Sequence, residues 1–348
     1  MRAITVVPGS KGSARLDDLA EPLESAGPVL VEGLALGICG TDLEITDGRY
    51  GLAPPGRDRL ILGHESLGRV LQAPESNGLE RGDLVVGIVR RPDPVPCPNC
   101  AIDEWDMCRN GRYAERGIKE LDGFGSQLWR IEPQFAVKVD SGLGDLGVLL
   151  EPASVVAKAW EHIERIGGRA RWQPELVLVT GAGPIGLLAA LLGVQRGLEV
   201  HVLDRVTEGP KPALVHDLGA TYHHGSVDEA CQAVDIAIEC TGVGQIVFDV
   251  MDNLTPNGVV CLTGVSSGGR SIGVDAGALN RELVLSNSVI VGSVNANRRH
   301  YRQAATALAS ADRDWLGRLV TRRVPLDRFQ EALHRGPHDV KVTVDLTA

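Results

Sequence analysis

Three short groups of residues carry ligand types suited to a catalytic metal. Cys39 lies in Gly37-Ile-Cys39-Gly-Thr41-Asp42, His64 and Glu65 in Gly63-His64-Glu65, and Glu151 in Leu149-Leu-Glu151-Pro152. A thiolate, an imidazole and a carboxylate form the donor set of a catalytic zinc, which keeps one position open for water or substrate. Each residue alone reads more simply as a buried thiol, a satisfied core histidine or an ordinary carboxylate. Together, in this order and ahead of a nucleotide-binding motif, they point to a metal centre.

That motif is Gly181-Ala-Gly183-Pro184-Ile185-Gly186. It follows an apolar run, Leu176 to Val179, and opens a helical pattern, Ile185 to Arg196. Gly181 permits a tight turn, Gly183 lets the backbone approach a pyrophosphate, and Gly186 lets helix and strand pack closely. The helix N-terminus then offers free N–H groups and a positive dipole end to the phosphates. Asp204 ends the next apolar run, 21 residues after Gly183. A carboxylate there accepts hydrogen bonds from an adenosine ribose and repels a 2′-phosphate, which favours NAD over NADP. Arg205 beside it reads equally as a surface charge, an adenine stacker or a phosphate ligand, so NADP stays open. A glycine-rich turn without ligand is the alternative to the whole motif.

The elements that must position these groups fall into two textures. The first ~150 residues are rich in Gly and Pro, with short β-like runs at Val29–Val31, Leu60–Leu62 and Leu84–Val89. They read as an irregular, largely β domain. From Glu175 apolar strands alternate with helical patterns. The strand candidates are Leu176–Val179, Val200–Leu203, Val234–Ile238, Gly258–Leu262 and Val289–Val294, with helices at Ile185–Arg196, Lys211–Leu218 and Gln245–Asn253. Such alternation implies right-handed βαβ units and a parallel sheet. Two more helical patterns follow, Arg298–Ser310 and Leu326–Leu333. A last alternating run, Val340–Val344, reads as a strand returning to the first domain.

Composition narrows the classes. The chain has 348 residues, enough for about two domains. Apolar residues make up 43% and charged residues 23%, which excludes a disordered chain. The net charge of −10 argues against nucleic acid as a partner. The longest uncharged stretch, Leu176 to Val194, approaches the length of a membrane span, but its glycines and Pro184 suit a buried strand-turn-helix better. No secretory signal is visible, so the expected location is cytoplasmic and the seven cysteines are expected as reduced thiols or metal ligands. Cys231, Cys240 and Cys261 fall in or beside the strand-helix half and read as core.

On these residues the chain resembles the zinc-dependent medium-chain dehydrogenase/reductase family along its whole length. The signatures are Cys39-Gly-Thr-Asp42, Gly63-His-Glu65 with Gly68 and Val70, and Gly82-Asp-Leu-Val85. Within the family it looks most like the glucose 1-dehydrogenases, through Val89-Arg-Arg-Pro92, Glu115-Arg-Gly117, Asp122-Gly-Phe124, Leu150-Glu-Pro152 and the block from Asp275 to Asn295. The resemblance implies an α/β chain with a GroES-like β-barrel catalytic domain at 1–155 and 296–348 and a Rossmann doubly wound parallel-sheet domain at 156–295.

The same resemblance implies roles. Cys39 and His64 would ligate the catalytic zinc, with Glu65 as third ligand or facing it through water, and Glu151 as intermittent ligand or substrate acceptor. Thr41 would bond the reacting hydroxyl, and Glu115 and Asn295 would hold other sugar hydroxyls. Gly181, Gly183, Pro184, Ile185, Gly186, Asp204, Arg205, Ser293, Val294 and Asn295 would line the coenzyme site. Members with a second, structural zinc carry four lobe cysteines. Here Cys97, Cys100 and Cys108 supply three, and Pro94 stands where the fourth is expected. Asp93 is then the nearest carboxylate able to complete a tetrahedral site, unless the thiols are relics of a lost one. Glu44 replaces the histidine that often serves a proton relay.

The activity so implied is oxidation of an aldose (glucose, galactose or xylose) at its C1 hydroxyl to the lactone, using Zn2+ and NAD or NADP. A homodimer or homotetramer is implied too. A polyol or secondary-alcohol dehydrogenase of the same family is the alternative, and a dinucleotide-binding scaffold without turnover a more distant one.

Overall fold

The computed structural model describes residues 1–75, 77–266 and 271–348. The chain divides into two compact units, Met1–Ser154 with Asn295–Ala348, and Val155–Val294.

In the first unit the main sheet has the order Ala136–Lys138, Leu84–Gly87, Glu65–Gln72, Val29–Ile38, Lys341–Asp345, Val320–Pro325, and Leu128–Ile131 also pairs with Val29–Ile38. The expected return of the last strand is found. Lys341–Asp345 runs antiparallel to Val29–Ile38, with Val342 opposite Ile38 and Val344 opposite Leu36. Glu65–Gln72 flanks the other side of the same strand, with Glu65 opposite Gly37. A small sheet of Arg90–Arg91, Ala114–Arg116 and Glu120–Leu121 stands beside these. The run read as Leu84–Val89 therefore stops at Gly87, and two arginines open a second sheet.

One glycine shows how tightly the sheet is drawn. A Cβ at Gly37 would lie 2.0 Å from Glu65 Oε2, so the carboxylate lies across a backbone that only glycine leaves clear.

The second unit is a parallel six-stranded sheet in the order Thr221–His223, Glu199–Leu203, Leu176–Thr180, Val234–Glu239, Leu254–Leu262, Val289–Gly292. The chain winds outward from Leu176–Thr180 to one edge, then returns to Val234–Glu239 and winds to the other. The crevice between these two strand ends is the switch point where such sheets bind ligands. Helix Pro184–Gln195 buries eight residues from Gly186 to Gly193, so it is apolar all round. That accounts for the long uncharged stretch in the sequence. Among the described residues no helix is long and apolar enough to cross a membrane.

Leu178, Ala237 and Val260 on the sheet pack with Val227, Ala230, Val250 and Met251 from two helices. Full burial of each large side chain is worth about 1.5–3 kcal/mol. Cys231 belongs to this core and Cys261 is fully buried in its strand, as read from the sequence. All seven cysteines are free thiols. The run read as a helix from Leu326 to Leu333 is a 3-10 turn, Leu326–Arg328, followed by a short α-helix, Phe329–Ala332.

Candidate active site

Cys39 caps helix Gly40–Thr46. Its backbone N–H donates to Asp42 Oδ2 at 2.9 Å, and its Sγ accepts from Thr41 N at 3.3 Å. This reciprocal cap fixes the thiol at the helix N-terminus. His64 follows Gly63, whose φ of +95° turns the chain into strand Glu65–Gln72. The turn brings His64 Nε2 to 3.1 Å from Cys39 Sγ. On the other side of the ring, His64 Nδ1 lies 3.3 Å from Asp42 Oδ1, and neither atom has another hydrogen-bond partner among the described residues. Burial lowers the imidazole pKa, but Cys39 and Asp42 outweigh it and hold the value well above the ordinary one. Asp42 was not assigned a role from the sequence, although it stands in the Cys39 motif. A carboxylate on the far nitrogen of a ligating histidine sets its tautomer and orientation.

Cys39, His64 and Glu65 offer one ligand atom each within 4.8 Å of one another. Glu65 is not free, however. Lys341 Nζ donates to both its carboxylate oxygens, at 2.7 and 2.5 Å, and both residues are almost wholly buried. The lysine was missed in the sequence; the available signal was a cation opening an otherwise buried strand. Glu151 lies in the first turn of helix Leu150–Gly167. Its carboxylate accepts no hydrogen bond among the described residues. Burial chiefly raises its pKa to about 7; Glu65 pushes the same way, while His64 and Lys341 oppose it. Buried Tyr301 has its phenol pushed well up, first by burial and then by Glu151. The Thr41 hydroxyl makes no bond within the described residues.

These donors fit a zinc ion. A thiol and an imidazole nitrogen already converge, the imidazole has an orienting carboxylate, and a buried carboxylate stands without a partner.

Glu115 and Asn295, expected to hold sugar hydroxyls, are joined to each other. Asn295 Nδ2 donates to Glu115 Oε1 at 2.8 Å, and Asn295 Oδ1 accepts from Ala296 N at 2.7 Å. Asn295 adopts a φ of +62°, a left-handed conformation that asparagine tolerates better than most residues. Its amide is thus engaged inside the protein instead of standing free.

In the cysteine lobe the three thiols of Cys97, Cys100 and Cys108 cluster within 4.8 Å. The backbone N–H groups of Arg109 and Cys100 lower the Cys97 thiol to about 6, whereas burial pushes Cys100 up to about 11. Asp93 does not join them as expected. Its carboxylate accepts from Val95 N and Asn110 Nδ2, each at 2.8 Å, with Arg112 Nε at 3.5 Å.

In the second unit Gly183 caps helix Pro184–Gln195, with Pro184 and Ile185 in its first turn. A Cβ on Gly186 would lie 1.7 Å from Gly181 O, so the close strand-helix packing read from the motif is real. Asp204 Oδ2 accepts from Ala182 N at 2.7 Å and from Lys211 Nζ at 3.0 Å, and Oδ1 accepts from Val206 N at 3.1 Å. Burial raises the Asp204 carboxyl, yet the bonds from Lys211 and Ala182 outweigh it and leave the pKa lowered. Lys211 was missed in the sequence and changes the electrostatics of this end. Arg205 is exposed. Ser293 Oγ is buried without a partner among the described residues, while Val294 is exposed and its carbonyl accepts from Lys158 Nζ at 2.9 Å.

A doubly wound parallel sheet with a glycine-rich turn, and an antiparallel unit that pairs a thiol with an imidazole, together define a nicotinamide-dependent dehydrogenase of the medium-chain, zinc-type class. Residues 25–141 match the alcohol dehydrogenase GroES-like domain and residues 144–346 the glucose dehydrogenase C-terminus. The chain belongs to the glucose dehydrogenase group of the zinc-dependent medium-chain dehydrogenase/reductase family. It is 39% identical to a glucose 1-dehydrogenase of Methanocella arvoryzae over all of both chains. It is 37% identical to that of Halobacterium salinarum, over 97% of this chain and 98% of the other. The Haloferax mediterranei glucose dehydrogenase, solved in complex with NADP, Zn and gluconolactone, superposes with a TM-score of 0.92 at 33% identity over 99% of each chain. Galactitol-1-phosphate dehydrogenase of Escherichia coli, 21% identical with a TM-score of 0.82, shares the fold over 99% of this chain and all of the other.

Proposed function

We propose that this chain oxidises the C1 hydroxyl of an aldose to the lactone, with NAD or NADP as hydride acceptor and zinc at the Cys39–His64 centre. The observation that carries the reading is that centre itself: a capped thiol 3.1 Å from an imidazole whose other nitrogen faces buried Asp42. Its presence in a chain that matches glucose 1-dehydrogenases end to end supports the aldose substrate.

The residues that would hold the ion are Cys39, His64 and Glu151, with Glu65 facing it from its bond to Lys341. The charge balance supports this set. Lys341 neutralises Glu65, so the thiolate and Glu151 supply two negative charges against a divalent cation. When bound, zinc supplies Lewis acidity to an oxygen in the open position, and nicotinamide supplies the hydride acceptor. Asp42 keeps the His64 proton on Nδ1 and leaves Nε2 as donor to the metal. Thr41 Oγ1, unbonded among the described residues, accepts a hydrogen bond from the reacting hydroxyl. Glu115 accepts from a second hydroxyl of the sugar. The turn from Gly181 to Gly186 and the first turn of the helix after it bind the coenzyme pyrophosphate. Ser293 and Val294 contribute to the same coenzyme site.

Asp204, already carrying Lys211, repels a 2′-phosphate less than a bare carboxylate would, so we propose that NAD and NADP are both used. We further propose a second ion held by Cys97, Cys100 and Cys108. Strand Val289–Gly292 ends the six-stranded sheet, and Val284, Leu285 and Val294 around it are 59–65% exposed. This supports a homodimer or homotetramer built through that edge. The free thiols support a cytoplasmic location.

The test is initial-rate measurement of NAD and NADP reduction over a panel of aldoses and polyols, with and without a chelator. Aldose turnover that falls with the chelator is expected. Turnover of polyols alone would overturn the substrate assignment.

A further inference from the structure

Glu239 has no role in the oxidation itself, yet it is wholly buried at the switch point of the six-stranded sheet. It ends strand Val234–Glu239, opposite Thr180 at the end of Leu176–Thr180. Its Oε1 accepts from Thr241 N at 2.6 Å, from the Thr241 hydroxyl, from Gly242 N at 3.1 Å and from the Thr180 hydroxyl at 3.3 Å. Oε2 shares the Gly242 N–H, also at 3.1 Å. Among the described residues no cation pairs with this carboxylate. A buried carboxylate needs hydrogen bonds in place of its lost water, and here backbone N–H groups and threonine hydroxyls supply them all.

Three strand ends converge on this one residue. Past Thr180 the chain enters the glycine turn, and Cys240 N donates to Thr180 O at 3.0 Å. The main-chain carbonyl of Glu239 accepts from Thr263 N at 2.8 Å and from Gly264 N at 2.9 Å, just past strand Leu254–Leu262. The fit leaves little room. A Cβ at Gly264 would lie 2.7 Å from Glu239 Oε2 and 2.2 Å from Gly242 N. Gly242 has a φ of +66°, a left-handed conformation held by the N–H that it shares between the two carboxylate oxygens. A Cβ at Gly181 would lie 3.0 Å from Thr241 Cγ2. The residue that donates twice to Glu239 is thus the wall behind the first glycine of the coenzyme motif.

Resting on the reading that the turn from Gly181 to Gly186 binds the coenzyme pyrophosphate, we infer that Glu239 is a positioning residue for the coenzyme. Wholly buried, it reaches no ligand itself. It ties the ends of three neighbouring strands into one preformed rim, so that binding does not have to order them. When a bond to the carboxylate is lost, part of the binding free energy goes into fixing Thr241 and Gly242, and the coenzyme binds more weakly. Glutamine in this place keeps the shape and one acceptor oxygen. It sets an amide N–H, though, where Oε2 now receives Gly242, and it removes the charge that strengthens the other bonds.

The experiment is isothermal titration of the zinc-loaded full chain with NADH and with NADPH, with the melting temperature of each protein measured alongside. The proteins compared are the wild type, Glu239→Gln, Thr241→Val, Thr241→Ser and Gly183→Ala. Glu239→Gln is expected to raise Kd about tenfold at unchanged stoichiometry. Thr241→Val keeps a methyl group against Gly181 but lacks the hydroxyl, and raises Kd about three- to fivefold. Thr241→Ser restores the hydroxyl and stays within about twofold of the wild type. Gly183→Ala puts a Cβ where the protein has nothing within 4 Å, so it folds and loses coenzyme binding if the turn holds the pyrophosphate. Binding lost in Gly183→Ala but unchanged in Glu239→Gln, whatever its melting temperature, makes Glu239 merely structural and overturns the inference while the turn keeps its role. A wild type that binds neither nucleotide, or a Gly183→Ala variant that binds like the wild type, overturns the reading of the turn and the inference with it. Should Glu239→Gln fail to fold, Thr241→Val against Thr241→Ser decides, and equal Kd values overturn the inference.

Discussion

Replacing Lys341 by Met tests whether the buried pair beneath the metal centre is needed for stability as the geometry requires. At 2.5–2.7 Å and an effective dielectric near 20, the direct attraction between Lys341 and Glu65 is about 6 kcal/mol. Desolvation of two buried charges cancels much of that, so the pair itself stabilises little. Removing one partner is different, because it strands a carboxylate that is 2% exposed. The side chain escapes by taking up a proton, which costs about 1.36 kcal/mol for each pH unit above the ordinary carboxyl value near 4.3. The expected loss is therefore about 3.7 kcal/mol at pH 7 and about 1 kcal/mol at pH 5. The sign follows from linkage: the variant's folded state binds a proton that the unfolded state releases, so its stability falls as pH rises. At about 2–4 °C per kcal/mol for a domain of this size, the melting temperature drops by about 7–15 °C at pH 7. The assay is thermal and urea unfolding of chelator-stripped wild type, Lys341→Met, and Lys341→Met with Glu65→Gln, at pH 5 and pH 7. The double variant is expected to recover most of the loss. A deficit equal at the two pH values, or undiminished in the double variant, would refute the reasoning.

The remaining predictions concern the ligands. With Glu151 titrating at about 7 in the metal-free protein and His64 held above its ordinary value, zinc affinity should climb with pH through 7 and go on rising above it as His64 gives up its proton. Glu151→Gln should weaken binding and flatten this contribution in a zinc titration; an unchanged profile would remove Glu151 from the ligand set. Lys211→Ala, which bares the Asp204 carboxylate, should lower kcat/KM for NADP about tenfold more than for NAD; equal losses would count against Lys211 as a phosphate partner. Metal analysis should give two zinc ions per chain for the wild type and for Asp93→Asn, but one for Cys100→Ser. Loss of an ion in Asp93→Asn would restore that carboxylate to the lobe.

How much of this was legible in the sequence depended on how local the physics was. The parallel sheet could be read because each strand is an apolar run bounded by turn residues, and the glycine motif because its three glycines answer to one backbone turn. Cys39 and His64 stood out by chemical type and by the residues around them. What escaped were partners supplied from elsewhere in the fold. Lys341 meets Glu65 only because the last strand pairs with Val29–Ile38, and nothing in a five-residue alternating run announces that register. Arg90 opens a second sheet opposite Glu115, so an arginine that its own sequence neighbourhood left unassigned is buried against a carboxylate. Lys211 reaches Asp204 from the helix after the strand, and its charge alters the coenzyme argument that Asp204 alone had favoured. In each case an acidic residue could be picked out by position, while the cation that sets its charge and direction came from the tertiary structure. The consequence is chemical: within each unit the cations decide which carboxylate oxygens stay free to accept from another group. Substitutions at Lys341 and Lys211 should therefore alter metal binding and coenzyme choice separately, although neither of the two is expected to touch the reacting C1 atom.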